Sequence, residues 1–333
     1  MKTSSKLWII IPSVIGGLVL IASMLLVFCP NLVAHIMRAS FAGTNAVKPA
    51  GYEAMESAVV AHKDLEYTSE FGDNKLDLYL PKNANELAPL PIIIWVHGGA
   101  FVGGDKIYAT YYATALSSNG YAVASMNYMR APEAKYPTPI VQLGEVCEWL
   151  VSKSADYNLD PTRFVFAGDS AGAHIVSSFA NVQTSPEYAE LLGLTPTPIV
   201  PASAIKGMLL YCGPYDMAKT ANVGGFFGFF LFRAAWTYFD TKDWANEYAD
   251  KATLTQNITS VFPPTFITDS NTASFEDQGK ELADALSSKG VSVSSYFMPL
   301  EFEKTSHEYQ FDMSTPAGAE CYARTLTFLA DVL

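Results

Sequence analysis

The stretch RFVFAGDSAGAHIVSS, residues 163–178, carries an apolar run that is broken by GDSAG and resumes as AHIVSSFA. One serine, Ser170, stands between Gly168 and Gly172, each two residues away. The segment before it reads as a strand and the segment after it as a helix. A serine on such a turn occupies a strained backbone conformation. Its neighbours two residues either way must be small, so that strand and helix can approach. The side chain then projects above the sheet, and the start of the next helix faces the atom it attacks. The stretch therefore predicts a sheet with packed helices and a serine nucleophile at the strand ends.

The rest of the chain repeats the strand–helix rhythm. YTSEF and KLDLYL flank Gly72-Asp73-Asn74 and predict a hairpin from residue 65 onward. Apolar strands are expected at 91–99, 121–128, 163–168, 205–213, 264–269 and 291–299, with helices at 108–120, 138–157, 171–182, 274–290 and 315–333. Apolar strands alternating with helices give an α/β fold: a mainly parallel central sheet with helices on both faces. One segment breaks the rhythm. ANVGGFFGFFLFRAAWTYF (221–239) is aromatic and Gly-rich, and too short and interrupted for a membrane span. It is expected to form a lid or cap in an insertion near 217–250, with a membrane-touching helix and ordinary core as the other readings.

A second motif, His97-Gly98-Gly99-Ala100-Phe101, follows the strand PIIIWV. The backbone N–H groups of Gly98 and Gly99, with that of Ala171, are the expected oxyanion-hole donors. HGGAF, then YMRAPE (128–133), then GDSAG resemble the hormone-sensitive-lipase-like esterases of the α/β-hydrolase fold. The resemblance covers most of residues 65–333. It implies a serine carboxylesterase acting on short- to medium-chain acyl esters without a cofactor, and a structural role for His97. The sequence departs from the family at Ala100, where a third glycine is usual, and at Arg130, displaced by one position.

The base follows by elimination among five histidines. His35 lies near the apolar N-terminus, His62 precedes the sheet, and His174 falls one helical turn after Ser170 and reads as packed. His307, in EKTSHEYQF after the last strand, holds the place of the base in the chain order Ser, acid, His. The family's acid lies in a D-P-L-x-D-E-G-like run, and the matching position here is Ala273. Asp269, at the end of the strand PTFITD, is the first substitute. Asp216, Glu276 and Asp277 remain open, as does a chain with no acid. A missing acid motivates the alternative reading, a non-catalytic binding or adhesion protein on a hydrolase fold.

The N-terminus carries a different signal. Residues 7–29, LWIIIPSVIGGLVLIASMLLVFC, contain no charge. That length suits a membrane span, which needs about 17–25 apolar residues. It exceeds the apolar region of a secretory signal, and Leu-Val-Phe-Cys-Pro is a poor cleavage site. Residues 1–30 are therefore expected to be a single-pass membrane anchor preceding the α/β domain, and residues 31–64 a juxtamembrane segment. In the latter, NLVAHIMRASFAG reads as an amphipathic helix lying on the membrane or on the domain. The short basic tail before the apolar run places the 65–333 domain on the extracytoplasmic side. A net charge of −12 argues against a nucleic-acid partner. The four cysteines, at 29, 147, 212 and 321, form no CxxC or CxxxC pair, so no metal site is expected. The expected partners are a small-molecule acyl ester and the membrane through residues 7–29. The sequence leaves the oligomeric state open.

Overall fold

The computed structural model describes residues 4–41, 46–195 and 197–333, with side chains from residue 13 onward. Eight strands form one sheet: β1 (Val59–Glu66), β2 (Lys75–Pro81), β3 (Leu90–Val96), β4 (Ala122–Met126), β5 (Leu159–Asp169), β6 (Ile205–Tyr211), β7 (Thr265–Asp269) and β8 (Val293–Phe297). Their spatial order is β1-β2-β4-β3-β5-β6-β7-β8. β2 runs antiparallel to β1 and β4, and the other pairs are parallel. This is the mainly parallel sheet that the alternation predicts.

β3 is buried along its whole length. Ile92, Ile94 and Val96 join the core on one face, and Ile93 and Trp95 the core on the other. Burial on both faces is why the parallel strands read as continuous apolar runs. The longer helices are α1 (Ser4–Phe28), α2 (Pro30–Ser40), α3 (Thr110–Ser117), α4 (Thr138–Ser152), α5 (Ala171–Thr184), α6 (Gly225–Phe239), α7 (Glu276–Ser288) and α8 (Pro316–Val332). α4, α5 and α7 pack on the first face through residues such as Leu143, Phe179 and Leu282, and α3 and α8 on the second through Tyr112 and Phe328.

Two expectations about the first 66 residues change. The sheet begins at Val59, inside the stretch assigned to the juxtamembrane segment, and YTSEF lies in the turn after β1. β1 is an edge strand without a clean alternation of buried and exposed residues, so its period-2 signal is weak. The single-pass transmembrane helix over 7–29 is also not supported. Among the described residues, no single helix is long and apolar enough to cross a membrane. Ser13–Phe28 and Pro30–Ser40 pass together on length and composition, but they are bent by 92°. The break falls at Cys29-Pro30, where proline cannot continue the preceding helix.

α2 packs on the domain, burying Val33, Ala34 and Met37. Arg38 fastens it there. Its Nε donates to Val102 O at 2.7 Å, its Nη2 to Ala131 O at 2.6 Å, and its two terminal nitrogens to the Glu133 carboxylate at 3.0 and 2.6 Å. Arg38→Met should therefore lower stability by about 1.5–3 kcal/mol, the worth of a hydrogen bond to a charged group. The check is a lower urea midpoint together with faster proteolytic loss of α1 and α2.

Candidate active site

Ser170 sits between β5 and α5 with φ 51° and ψ −119°, a conformation that costs a side-chain-bearing residue energy. Its N–H donates to Tyr211 O of β6 at 2.8 Å. The two glycines of GDSAG make this turn possible. A Cβ on Gly168 would lie 2.5 Å from the Gly172 carbonyl carbon, and one on Gly172 would lie 1.9 Å from Val96 O of β3. Neither backbone can retreat, so strand and helix meet at this distance only without side chains.

His307 Nε2 lies 2.9 Å from Ser170 Oγ. A ring nitrogen of His307, a carboxylate oxygen of Asp269 and Sγ of Cys212 lie within 4.8 Å of one another. Among the described residues His307 Nδ1 and Asp269 Oδ2 have no hydrogen-bond partner, while Asp269 Oδ1 accepts from Ser270 N at 2.7 Å. The buried nitrogen and the buried oxygen are thus each left unpaired within this cluster. Burial pulls His307 down to about 4 and pushes Asp269 up to about 7. A metal is not favoured at this cluster. Burial raises the Cys212 thiol well above its usual range, whereas a cysteine ligand must be a thiolate.

The other candidates for the acid lie elsewhere. Asp216 accepts from Lys219 N at 3.0 Å as a helix cap. Glu276 pairs with Lys280 at 2.8 Å, and Asp277 is exposed in the first turn of α7. The two remaining buried histidines are packed. His97 stacks on Tyr128, and His174 Nε2 meets Ala252 O at 2.9 Å. Burial lowers each to about 4.

The oxyanion loop differs from expectation at one residue. Gly98 N donates to Asp169 Oδ2 at 2.7 Å, so this N–H is already committed. The N–H groups of Gly99, Ala100 and Ala171 have no acceptor among the described residues, and all three residues line the cavity in front of Ser170. Asp169 also accepts from Trp95 Nε1 at 2.7 Å and shares a hydrogen bond with Glu308. Burial raises both carboxyls; the Asp169 anion raises Glu308 further, whereas the hydrogen bond from Glu308 lowers Asp169. The donors from Trp95 and Gly98 favour the charged form of Asp169, so of the two carboxyls Glu308 is the one raised further. Glu308 Oε1 also lies 3.9 Å from His307 Nε2.

The cavity above Ser170 measures about 460 Å³. Its walls are apolar and come from two sources. α6 contributes Phe226, Phe227, Phe230 and Leu231, and the N-terminal segment contributes Ile36, Met37, Ser40 and Phe41. The sequence reading anticipates the α6 wall but misses the N-terminal one and Glu308. The apolar stripe Val33–Ala34–Met37 signals a packed face on α2. No local feature signals that Ile36 faces a cavity built by residues some 190 positions away.

The family model described as BD-FAE matches residues 76–286, more than half of the chain. A probable isoprenylcysteine alpha-carbonyl methylesterase of Arabidopsis thaliana is 32% identical over 123 residues, which are 36% of this chain and 25% of that protein. Esterase LipQ of Mycobacterium tuberculosis is 28% identical over 164 residues, 48% of this chain and 37% of LipQ. The chain thus spans well under half the length of these two relatives. Among solved structures, esterase B from Lactobacillus rhamnosis superposes with a TM-score of 0.75 at 22% identity, covering 90% of this chain and 95% of that one. This likeness gives the α/β-hydrolase fold.

With Ser170 as nucleophile, His307 as base and Asp269 as the expected acid, a pH dependence follows for attack by Ser170. The serine needs His307 unprotonated to accept its proton, and the resulting imidazolium needs Asp269 ionised. As pH falls, Asp269 takes up a proton through about 7 and His307 through about 4. The labelling rate of Ser170 by a neutral fluorophosphonate should be level above the Asp269 midpoint, fall through it, and vanish below the His307 midpoint.

Proposed function

The chain belongs to the BD-FAE family, and from that premise we propose that it is a serine carboxylesterase acting on short- to medium-chain acyl esters through an acyl-enzyme at Ser170. The 2.9 Å contact of Ser170 Oγ with His307 Nε2 carries this reading, with Asp269 Oδ2 unpaired beside the imidazole. The relatives' names supply the reaction class, ester hydrolysis. A cavity of about 460 Å³ falls within the usual ~300–1,000 Å³ of small-molecule sites, and its apolar walls suit an acyl chain.

In the proposed sequence, Ser170 Oγ attacks the ester carbonyl carbon as His307 Nε2 takes its proton. Asp269 stabilises the imidazolium and holds the ring. The N–H groups of Gly99, Ala100 and Ala171 receive the oxyanion, with Ala100 in the role expected of Gly98. His307 then protonates the leaving alkoxide as the acyl–oxygen bond breaks. Water, deprotonated by the same nitrogen, attacks the acyl-enzyme and releases the acid and Ser170. The carboxylate missing at Ala273 is supplied by Asp269, so the non-catalytic alternative loses the observation that motivated it.

We further propose that the apolar N-terminal helix holds the protein in a lipid bilayer, with the catalytic domain outside the cytoplasm. Support comes from α1, where Val14, Ile15, Leu18, Val19, Leu20 and Ile21 are all exposed.

The test is turnover of p-nitrophenyl esters from acetate to palmitate. Ser170→Ala should abolish it on every chain length. Asp269→Asn should cost about 10⁴-fold, the effect of the wrong histidine tautomer in a serine protease. Asp216→Asn should leave it unchanged. Turnover that survives Ser170→Ala removes the reading, and a maximum at palmitate removes its chain-length limit.

A further inference from the structure

We propose that the mouth of the cavity opens into the lipid phase, so that the ester reaches Ser170 from the bilayer and not from water. The inference rests on the esterase reading for the ester, but not for the lipid contact. Three residues carry it. Phe226 is 83% exposed, Ile36 46% and Phe227 43%, yet all three line the cavity. Phe227 reaches inward as well, with its ring 6.5 Å from that of His307. One apolar rim therefore connects the surface to the base.

The rim is continuous with α1. Arg233 of α6 donates through Nε to Leu26 O at 2.8 Å and through Nη2 to Val27 O at 3.3 Å, capping the last turn of α1. Its guanidinium lies 3.5 Å from the Phe229 ring centre. Phe229 contacts Phe230 at 5.3 Å between centroids, and Phe230 contacts Phe226 at 4.7 Å. A chain of rings thus runs from the end of α1 to the cavity mouth. Below the break at Cys29, α2 supplies the opposite wall.

The periodicity of exposure identifies the occupant. Successive residues of a helix are separated by 100°, so Leu18, Val19, Leu20 and Ile21 face four directions around α1. All four are exposed. A second protein surface would cover one stripe of such a helix, whereas a helix apolar all round suits lipid. The apolar rim lies where that helix ends, so lipid around α1 also bathes Phe226, Phe227 and Ile36. A neutral ester dissolved in the bilayer can then slide its acyl chain between α2 and α6 without crossing water.

The experiment uses the full chain in phosphatidylcholine vesicles. In a Cys29→Ala background, bimane is attached at Phe226→Cys, or at Asp331→Cys on α8, which packs on the opposite face of the sheet. Spin-labelled lipid should quench the label at 226 and leave that at 331 bright. Separately, Phe226→Asp should lower kcat/KM for a vesicle-dissolved medium-chain ester about tenfold relative to that for p-nitrophenyl acetate. Equal quenching at both positions, quenching at neither, or an unchanged ratio overturns the proposal. Concentration-dependent shielding of the label by self-association also overturns it, because a second copy would then occupy the face. Quenching at 226 in a protein that hydrolyses no ester keeps the lipid-facing mouth and removes the esterase reading instead.

Discussion

The backbone of Ser170 is the constraint from which the rest follows. Its φ of 51° and ψ of −119° lie where a residue with a side chain is strained by about 1–3 kcal/mol. Such strain persists only when the surroundings leave no alternative. Tyr211 O takes its N–H from one side, and the Gly172 backbone presses on Val96 O from the other. β3, β5, β6 and α5 are therefore locked together at one point. The loop after β3 consequently begins next to the nucleophile, and the free N–H groups of Gly99 and Ala100 lie in the same cavity as Ser170.

Two buried carboxylates flank this point, and their hydrogen bonding separates their roles. Both oxygens of Asp169 are occupied by strong donors, Trp95 Nε1 and Gly98 N. A carboxylate so satisfied has no lone pair directed at a base, and it braces the oxyanion loop. Asp269 has one oxygen tied to Ser270 and the other unpaired beside His307. An unpaired buried oxygen is costly to keep, and it is the feature a developing imidazolium would satisfy. Glu308, in the αL conformation that its φ of 62° records, is raised by burial and by the Asp169 anion beside it.

The sheet was legible because its parallel strands are buried on both faces and read as unbroken apolar runs. Ser170 and His307 were legible because a motif fixes one and chain order the other. The acid was harder, since the candidate carboxylate, Asp269, sits at the tip of β7 and not at the family's loop position, Ala273. The commitment of Gly98 N–H was invisible, because its acceptor lies 71 residues away and looks, in sequence, like the filler residue of GDSAG. The fastening of the N-terminal helices was invisible for a related reason. An apolar composition describes what a helix can bury, but only the Arg38 and Arg233 contacts determine what it is fastened to.

The wall that α2 contributes ties the selectivity of the cavity to the N-terminal segment. A protease cutting before Pro30 would free a domain whose cavity keeps Ile36, Met37 and Phe41. A cut after Phe41 would free the same sheet and the same Ser170, His307 and Asp269 with one side of the cavity missing. The two products would share Ser170 and differ in the shape of the cavity in front of it. The position of a single cleavage would thus decide whether truncation leaves the shape of the cavity intact or changes it.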